Sequence, residues 1–224
     1  LGAERPLLHH ILAGLAVAGI DDVLIVTGFM PNKIEEFVTS SGIELNVSHV
    51  RNARYASWGN FHSVRVALDQ SPGYDVLVVN SDVIVSPDVY RRVADTRGDL
   101  VLAVQQRLVL DEEDMRVRLD GDRVRAVSKS LGRGVSHGEY AGVSLLRPPA
   151  ARAYLDESSR REWLADTDVY YEDVYNTIVP LLDARAAIVG EDEYAEVDTP
   201  DDIDGALAVI RRHSAAVDGS APAA

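Results

Sequence analysis

From Leu7 to Ala18, apolar residues recur every three or four positions, through Leu8, Ile11, Leu12 and Leu15. With Pro6 ahead of them and Gly19 behind, they predict an amphipathic helix with proline in its first turn and glycine as its stop. Val23–Thr27 is an unbroken apolar, β-branched run between Asp22 and Gly28, the pattern of a strand buried on both faces. Pro31 and Asn32 open a short helix through Phe37, and Ile43–Val50 alternates as a second strand. After an irregular polar and aromatic stretch at 51–59, a helix is expected from about Asn60 to Gln70. Val76–Val79 reads as another buried strand, stopping at Asn80-Ser81-Asp82. Pro87 starts a helix to about Thr96, and Leu100–Val104 forms a further strand. This alternation predicts an α/β unit around a mostly parallel sheet.

The rhythm then changes. Met115–Leu119 and Arg123–Ser128 alternate with period two on either side of Asp120-Gly121-Asp122, which predicts a β-hairpin. Tyr140–Leu146 is a strand broken by Pro148-Pro149. Val169, Tyr170, Val174, Ile178, Leu181 and Leu182 predict a helix of about four turns. Ala186–Val189 and Tyr194–Val197 read as short strands, and Pro200 begins a last helix to about Arg212. The expectation is one α/β domain over 1–213 carrying a small β-rich insertion. Residues 214–224 are expected to be a flexible tail or linker, possible fusion point to another domain.

Composition narrows the function more than the fold. The 224 residues are 46% apolar and 26% charged, which suits one domain or at most two small ones. The absence of cysteine excludes disulfides, thiolate metal sites and cysteine nucleophiles. The longest apolar runs are far too short to cross a bilayer, and no basic-then-apolar leader opens the sequence, so a cytoplasmic protein without membrane contact is expected. A net charge of −14 with scattered arginines argues against nucleic-acid binding. Lys33 and Lys129 are the only lysines.

In open α/β sheets, ligands bind beyond the carboxyl ends of strands. Asp82 stands there, directly after Val76–Val79, as a candidate divalent-metal ligand; capping a turn or the next helix is the alternative. Glu196 and Asp198 lie two apart at a strand end and share a face, where they repel unless a cation or proton lies between them. Asp198 or Thr199 could instead cap the helix at Pro200. Oxygen donors of this kind suit Mg²⁺ better than zinc. Asn52, Tyr55, Asn60 and Ser63 could read a nucleobase edge, although Asn60 equally suits an N-cap. Lys129 could neutralise a phosphate or simply lie on the surface. At helical spacing one tyrosine of Tyr170-Tyr171 faces the core, while Tyr171 and Glu172 could face a pocket that takes an ammonium group. The six histidines lack metal-ligand spacing, Ser63 and Ser81 lack a nucleophile-elbow context, and Gly132-Arg133-Gly134 is too short for a dinucleotide loop.

Taken together, Arg5–Leu12, Ala18–Phe29, Asn52–Tyr55, Asn60–Ser63, Asn80–Asp82, Tyr170–Val174 and Glu196–Pro200 resemble the sugar-nucleotidyltransferase-like superfamily. Within it they resemble the branch of phosphocholine and phosphonate cytidylyltransferases. That resemblance implies a Rossmann-like three-layer α/β fold and a Mg²⁺-dependent enzyme. The implied reaction is attack of a small phosphate or phosphonate on the α-phosphorus of CTP, releasing pyrophosphate. Acceptors of the phosphocholine, aminoethylphosphonate or hydroxyethylphosphonate type are expected. A sugar-1-phosphate or inositol-1-phosphate nucleotidyltransferase and a non-catalytic nucleotide-binding domain are the alternatives. The resemblance implies that Asp82 and Asp198 hold Mg²⁺ with Glu196 beside them, and that Lys129 assists. It puts Asn52, Asn60, Ser63 and Ser81 at the nucleotide, and Glu139, Tyr171 and Glu172 at the acceptor. The family's glycine-rich phosphate loop falls ahead of Leu1, so the sequence reads as N-terminally trimmed in preference to degenerate, and as written is expected to catalyse poorly.

Overall fold

Prolines and small caps set where the helices begin. Pro31, Pro87 and Pro148 each stand in a first helical turn, where the missing N–H has no intrahelical partner to lose. Ser86 completes one such start, its hydroxyl accepting the Asp88 N–H at 3.3 Å. Gly19 closes the first helix at φ +81°, a conformation that glycine adopts without a steric penalty. The computed structural model describes residues 5–218, with side chains described as far as His213.

The helices are α1 (Leu7–Ala18), α2 (Pro31–Ser40), α3 (Phe61–Asp69), α4 (Pro87–Asp95), α5 (Pro148–Trp163), α6 (Tyr171–Ile178) and α7 (Ile203–Asp218). The strands are β1 (Asp22–Thr27), β2 (Asn46–Arg51), β3 (Val76–Val79), β4 (Val83–Val85), β5 (Leu100–Gln105), β6 (Arg116–Asp120), β7 (Arg123–Ser128), β8 (Gly138–Leu146), β9 (Ala184–Val189) and β10 (Tyr194–Glu196). A six-stranded sheet runs in the order β3-β8-β5-β9-β7-β6, with β1-β2 and β10-β4 as separate pairs. Alternate residues of β5 and β8 enter two cores. Leu100, Leu102, Tyr140 and Leu146 pack under α3, α5 and α6, whereas Val101, Ala103, Val143 and Leu145 pack under α1, α4 and α7. The result is a three-layer, Rossmann-like α/β fold, as expected. Among the described residues, no helix is long and apolar enough to cross a membrane.

Strand direction departs from the expectation. Only β1–β2 and β5–β9 pair in parallel; the remaining ladders are antiparallel. The reason is β8, which returns from the hairpin and enters the sheet between β3 and β5 against the direction of both. The β6–β7 hairpin, the expected β-rich insertion, bonds to β8 and to β9 and so extends the main sheet. β1 and β3 are only partly buried, because β1 pairs with β2 alone and β3 is the sheet's edge strand.

Helix α5 carries no sequence signal because its buried positions, Ala150, Tyr154 and Ser158, are small or polar. The helix expected from Val169 is shorter, beginning after Tyr170 and giving way to a 3₁₀ turn at Val179–Leu181 that contains Pro180. At the other end of the chain, α7 follows a 3₁₀ turn at Pro200–Asp202 and continues past Arg212. The expected domain boundary at 213 therefore falls inside a helix, and residues 219–224 lie outside the described residues.

One glycine controls the approach of β8 to the β3–β4 turn. Gly142 has φ +69°, and a Cβ there would lie 2.7 Å from Val83 Cγ1 and 3.1 Å from Asn80 Cβ. Gly142→Ala is expected to destabilise the protein by about 2 kcal/mol or more, since both the backbone conformation and the contact oppose a side chain. Urea unfolding of the two proteins checks this.

Candidate active site

The β4–β10 ladder pairs Val83 with Glu196, and one residue beyond it the Val197 N–H donates to the Asp82 carbonyl at 2.9 Å. This register places the turn after β3 beside the end of β10. One carboxylate oxygen from each of Asp82, Glu196 and Asp198 lies within 4.8 Å of the others. The capping roles that these acids could have filled are taken elsewhere. Ser86 caps α4, and Thr199 donates its N–H and hydroxyl to Asp202 Oδ2 at 2.7 and 2.9 Å at the turn leading into α7.

The cluster's electrostatics suit a cation. Asp82 Oδ1 is buried and has no hydrogen-bond partner within the protein. Burial, then the Asp198 carboxylate, pushes the Asp82 carboxyl above its ordinary value. Glu196 is likewise raised, by burial first and then by Asp198 and Asp82, while Tyr194 donates its hydroxyl to Glu196 Oε2 at 3.1 Å. Three all-oxygen ligands with uncompensated charge fit a hard divalent ion such as Mg²⁺.

Across from the cluster lies the start of α6. Tyr171, expected at a pocket, is instead the tyrosine that faces the core: it is 2% exposed, and its hydroxyl donates to Asn80 Oδ1 at 2.7 Å. Tyr170 is the extended N-cap residue and Tyr171 the first residue of the helix, so their side chains diverge, and the deeper one belongs to Tyr171. Tyr170 is the half-exposed ring, with the Lys129 ammonium 5.3 Å from its centroid. Glu172 is buried with Oε2 unpartnered, and its carboxyl is pushed up to about 7, chiefly by burial. The Lys129 charge acts on both Glu172 and Glu196 in the opposite, lowering sense. Lys129 also pairs with Glu113 at 3.4 Å.

Glu139 is buried and paired with Arg107 at 2.8 Å, yet its carboxyl is also pushed up to about 7 by burial and then by Asp114. The field of Glu196 reaches it too, so Glu139 borders the cluster while already holding an arginine.

Asn52, Asn60 and Ser63 lie together around the loop that leads into α3, whereas Ser81 lies on the β3–β4 turn. Asn52 is buried and spans the loop with both ends of its amide, donating to Ser63 Oγ at 3.0 Å and accepting from the Arg54 N–H at 2.8 Å. Asn60 sits at the N-cap of α3 without capping it, because its Oδ1 accepts the Tyr171 N–H at 2.9 Å. Ser81 is exposed on the β3–β4 turn beside Asp82. Sequence reasoning passed over Asn80, Tyr140, Arg107 and Tyr194 as functional positions. Asn80 had a usable signal, its place directly after a strand; Arg107 and Tyr194 acquire their partners only through tertiary pairing.

Comparisons with known proteins identify the family and the fold. The MobA-like NTP transferase domain matches residues 1–169, and the chain belongs to that family of nucleotidyltransferases. Asp82 lies inside the matched region, whereas Glu172, Glu196 and Asp198 lie beyond it. The CMP-5'-(3-aminopropyl)phosphonate synthase of Streptomyces rubellomurinus (strain ATCC 31215) is 33% identical over 95 residues, which is 41% of this chain and only 14% of that protein. The inositol-1-phosphate CTP transferase of T. maritima superposes with a TM-score of 0.75 at 16% identity, covering 91% of this chain and 83% of that one. The CTP:phosphocholine cytidylyltransferase of Streptococcus pneumoniae superposes with a TM-score of 0.71 at 19% identity, covering 91% and 85%. At these identities the solved structures establish the shared fold.

The buried Glu172 makes a pH-dependent contribution. Its carboxyl is raised above the unfolded value, so the folded state holds the proton more tightly, and this stabilisation is lost as pH rises through about 7. Glu172→Gln, a neutral mimic, is expected to melt close to wild type at pH 5 and above it at pH 8. Melting curves at the two pH values check the divergence.

Proposed function

We propose that this nucleotidyltransferase moves CMP from CTP onto a small aminoalkyl phosphonate or phosphate, at the Asp82–Glu196–Asp198 cluster. The observation carrying the reading is that cluster itself: three carboxylates within 4.8 Å of one another, one of them with a buried, unpartnered oxygen. Support for CTP comes from the relatives, whose names specify CTP or a CMP product.

In this reading an acceptor oxygen forms a bond to the α-phosphorus of CTP, the bond from that phosphorus to the bridging oxygen breaks, and pyrophosphate leaves. Mg²⁺, when bound, offsets the repulsion between the two anionic reactants and the charge that develops on the leaving oxygens. Asp82 and Asp198 hold the ion, with Glu196 completing the set. Lys129 adds a movable positive charge for a phosphate, since its 3.4 Å pair with the exposed Glu113 is a weak surface ion pair. Asn52, Ser63, Asn60 and Ser81 sit on the segments offered to the base, with Asn52 and Asn60 held rigid by their own hydrogen bonds. Positioning of this kind supplies much of the rate in phosphoryl-type transfer, where the protein performs little covalent work.

The acceptor class follows from the start of α6. A quaternary ammonium needs open aromatic faces, but Tyr171 is buried and the Tyr170 face lies against Lys129. A primary ammonium needs a carboxylate oxygen left free to accept, and Glu172 Oε2 has no partner within the protein. An aminoalkyl acceptor is therefore favoured over choline.

Pyrophosphate release by the full-length natural protein tests the reaction. CTP and Mg²⁺ with an aminoalkylphosphonate are expected to give turnover, reduced about 100-fold or more in Asp82→Ala. Faster turnover with phosphocholine or a sugar-1-phosphate would overturn the acceptor assignment. The acceptor KM is also expected to fall between pH 6 and 8 as Glu172 ionises, whereas the Glu172→Gln KM stays high and flat across that range.

A further inference from the structure

Tyr171 lies in the core and not at the acceptor, which leaves its hydroxyl without a role in substrate contact. We propose that Tyr171 is a positioning residue: its hydroxyl fixes the turn that carries Asp82, and so assembles the metal-holding carboxylates. The proposal rests on the metal reading given above.

The turn at Asn80-Ser81-Asp82 follows β3, which as the sheet's edge strand is bonded only to β8 among the described residues. On that side the Asn80 N–H donates to the Gly142 carbonyl at 2.9 Å. The other support is the Tyr171 hydroxyl, which reaches Asn80 Oδ1 at 2.7 Å. The Tyr140 hydroxyl lies 3.0 Å from that of Tyr171. The Tyr171 hydroxyl is in donating geometry toward that oxygen as well; a phenol has one proton, so the two acceptors compete for it, and the Asn80 amide oxygen is the nearer. The ring is fixed as well, edge-on to Tyr140 and Tyr175 with centroids 6.1 and 5.2 Å away.

The same residue donates its backbone N–H to Asn60 Oδ1 at 2.9 Å. One side chain and its amide thus join the start of α6, the start of α3 and the turn before β4. A phenylalanine would fill nearly the same volume, so packing alone does not call for the hydroxyl. What the hydroxyl adds is a bond to the residue two positions before Asp82. Without it, the Asn80 amide oxygen loses its donor and the turn keeps only its backbone bonds, from the Asn80 N–H to Gly142 and from the Val197 N–H to Asp82. Asp82 is then less firmly presented to Glu196 and Asp198.

Titration of Mn²⁺ into the full chain, followed by electron paramagnetic resonance, reads the site without turnover. Tyr171→Phe is expected to weaken Mn²⁺ binding about tenfold, in the range seen when a group supporting a metal ligand is removed. Asn80→Ala, which removes the same bond from the other end, is expected to weaken it similarly, and it covers the case in which Tyr171→Phe does not fold. The double variant is expected to be no weaker than the weaker single one, because both remove one strut. In turnover, kcat is expected to fall while the acceptor KM stays within about twofold. A lowered melting temperature with unchanged Mn²⁺ affinity in both single variants would overturn the proposal and leave Tyr171 a packing residue. Equal Mn²⁺ binding by wild type and Asp82→Ala would overturn the metal reading itself, and this inference with it.

Discussion

Three carboxylates gathered within 4.8 Å repel one another, so the fold around Asp82, Glu196 and Asp198 has to keep them that close. The force comes from a short ladder: β4 against β10, extended by the Val197 N–H on the Asp82 carbonyl. Much of the molecule supports that ladder. Val83, Ile84 and Val85 of β4 are all buried, packed with α1, α4 and α7 on one face of the sheet. Gly142 lets β8 pass close enough to the turn for its carbonyl to take the Asn80 N–H. The unfavourable charge is thus held in place by burial and hydrogen bonding around it, and a divalent ion is the natural counterpart.

The opposite core carries α6 and Glu172. There Tyr140, Tyr154, Tyr171 and Tyr175 form a cluster of edge-on rings whose hydroxyls are all bonded, to Asn80, Ser144, the Phe61 carbonyl or one another. This polar seam through an apolar core fixes α6 against α3 and the sheet. It also explains the burial of Glu172, carried on the first turn of α6 beside Tyr171, with its carboxyl held near neutrality. The Asp82–Glu196–Asp198 cluster and the Glu172 carboxyl are therefore carried by two separate cores that meet through the Tyr171–Asn80 bond.

The sequence made some of this legible and hid the rest for identifiable reasons. Asp82, Glu196 and Asp198 could be singled out because each stands at or just beyond a strand end, where side chains meet a ligand, and their closeness in space follows from that placement. The helix starts were legible because proline and serine act locally. Strand direction was not, since the spacing between β5 and β8 says nothing about which way β8 runs. The choice between Tyr170 and Tyr171 failed for a similar reason: two adjacent tyrosines carry the same side chain, and only the packing of α6 on the sheet decides which is buried. Helix α5 was hidden because it buries alanine, tyrosine and serine instead of a leucine stripe. Asn60 looked like a cap, and it stands at the cap position, but its side chain is drawn to the Tyr171 amide 111 residues away.

The most direct test of the account is the position of a metal ion. Crystals of the full-length protein grown with CTP and Mn²⁺ would locate the ion by its anomalous scattering. The account predicts one strong peak bounded by Asp82 and Asp198, next to Glu196, with nucleotide phosphate oxygens completing its shell. A triphosphate bound with its ion held elsewhere, and Asp82 left without a ligand, would contradict it.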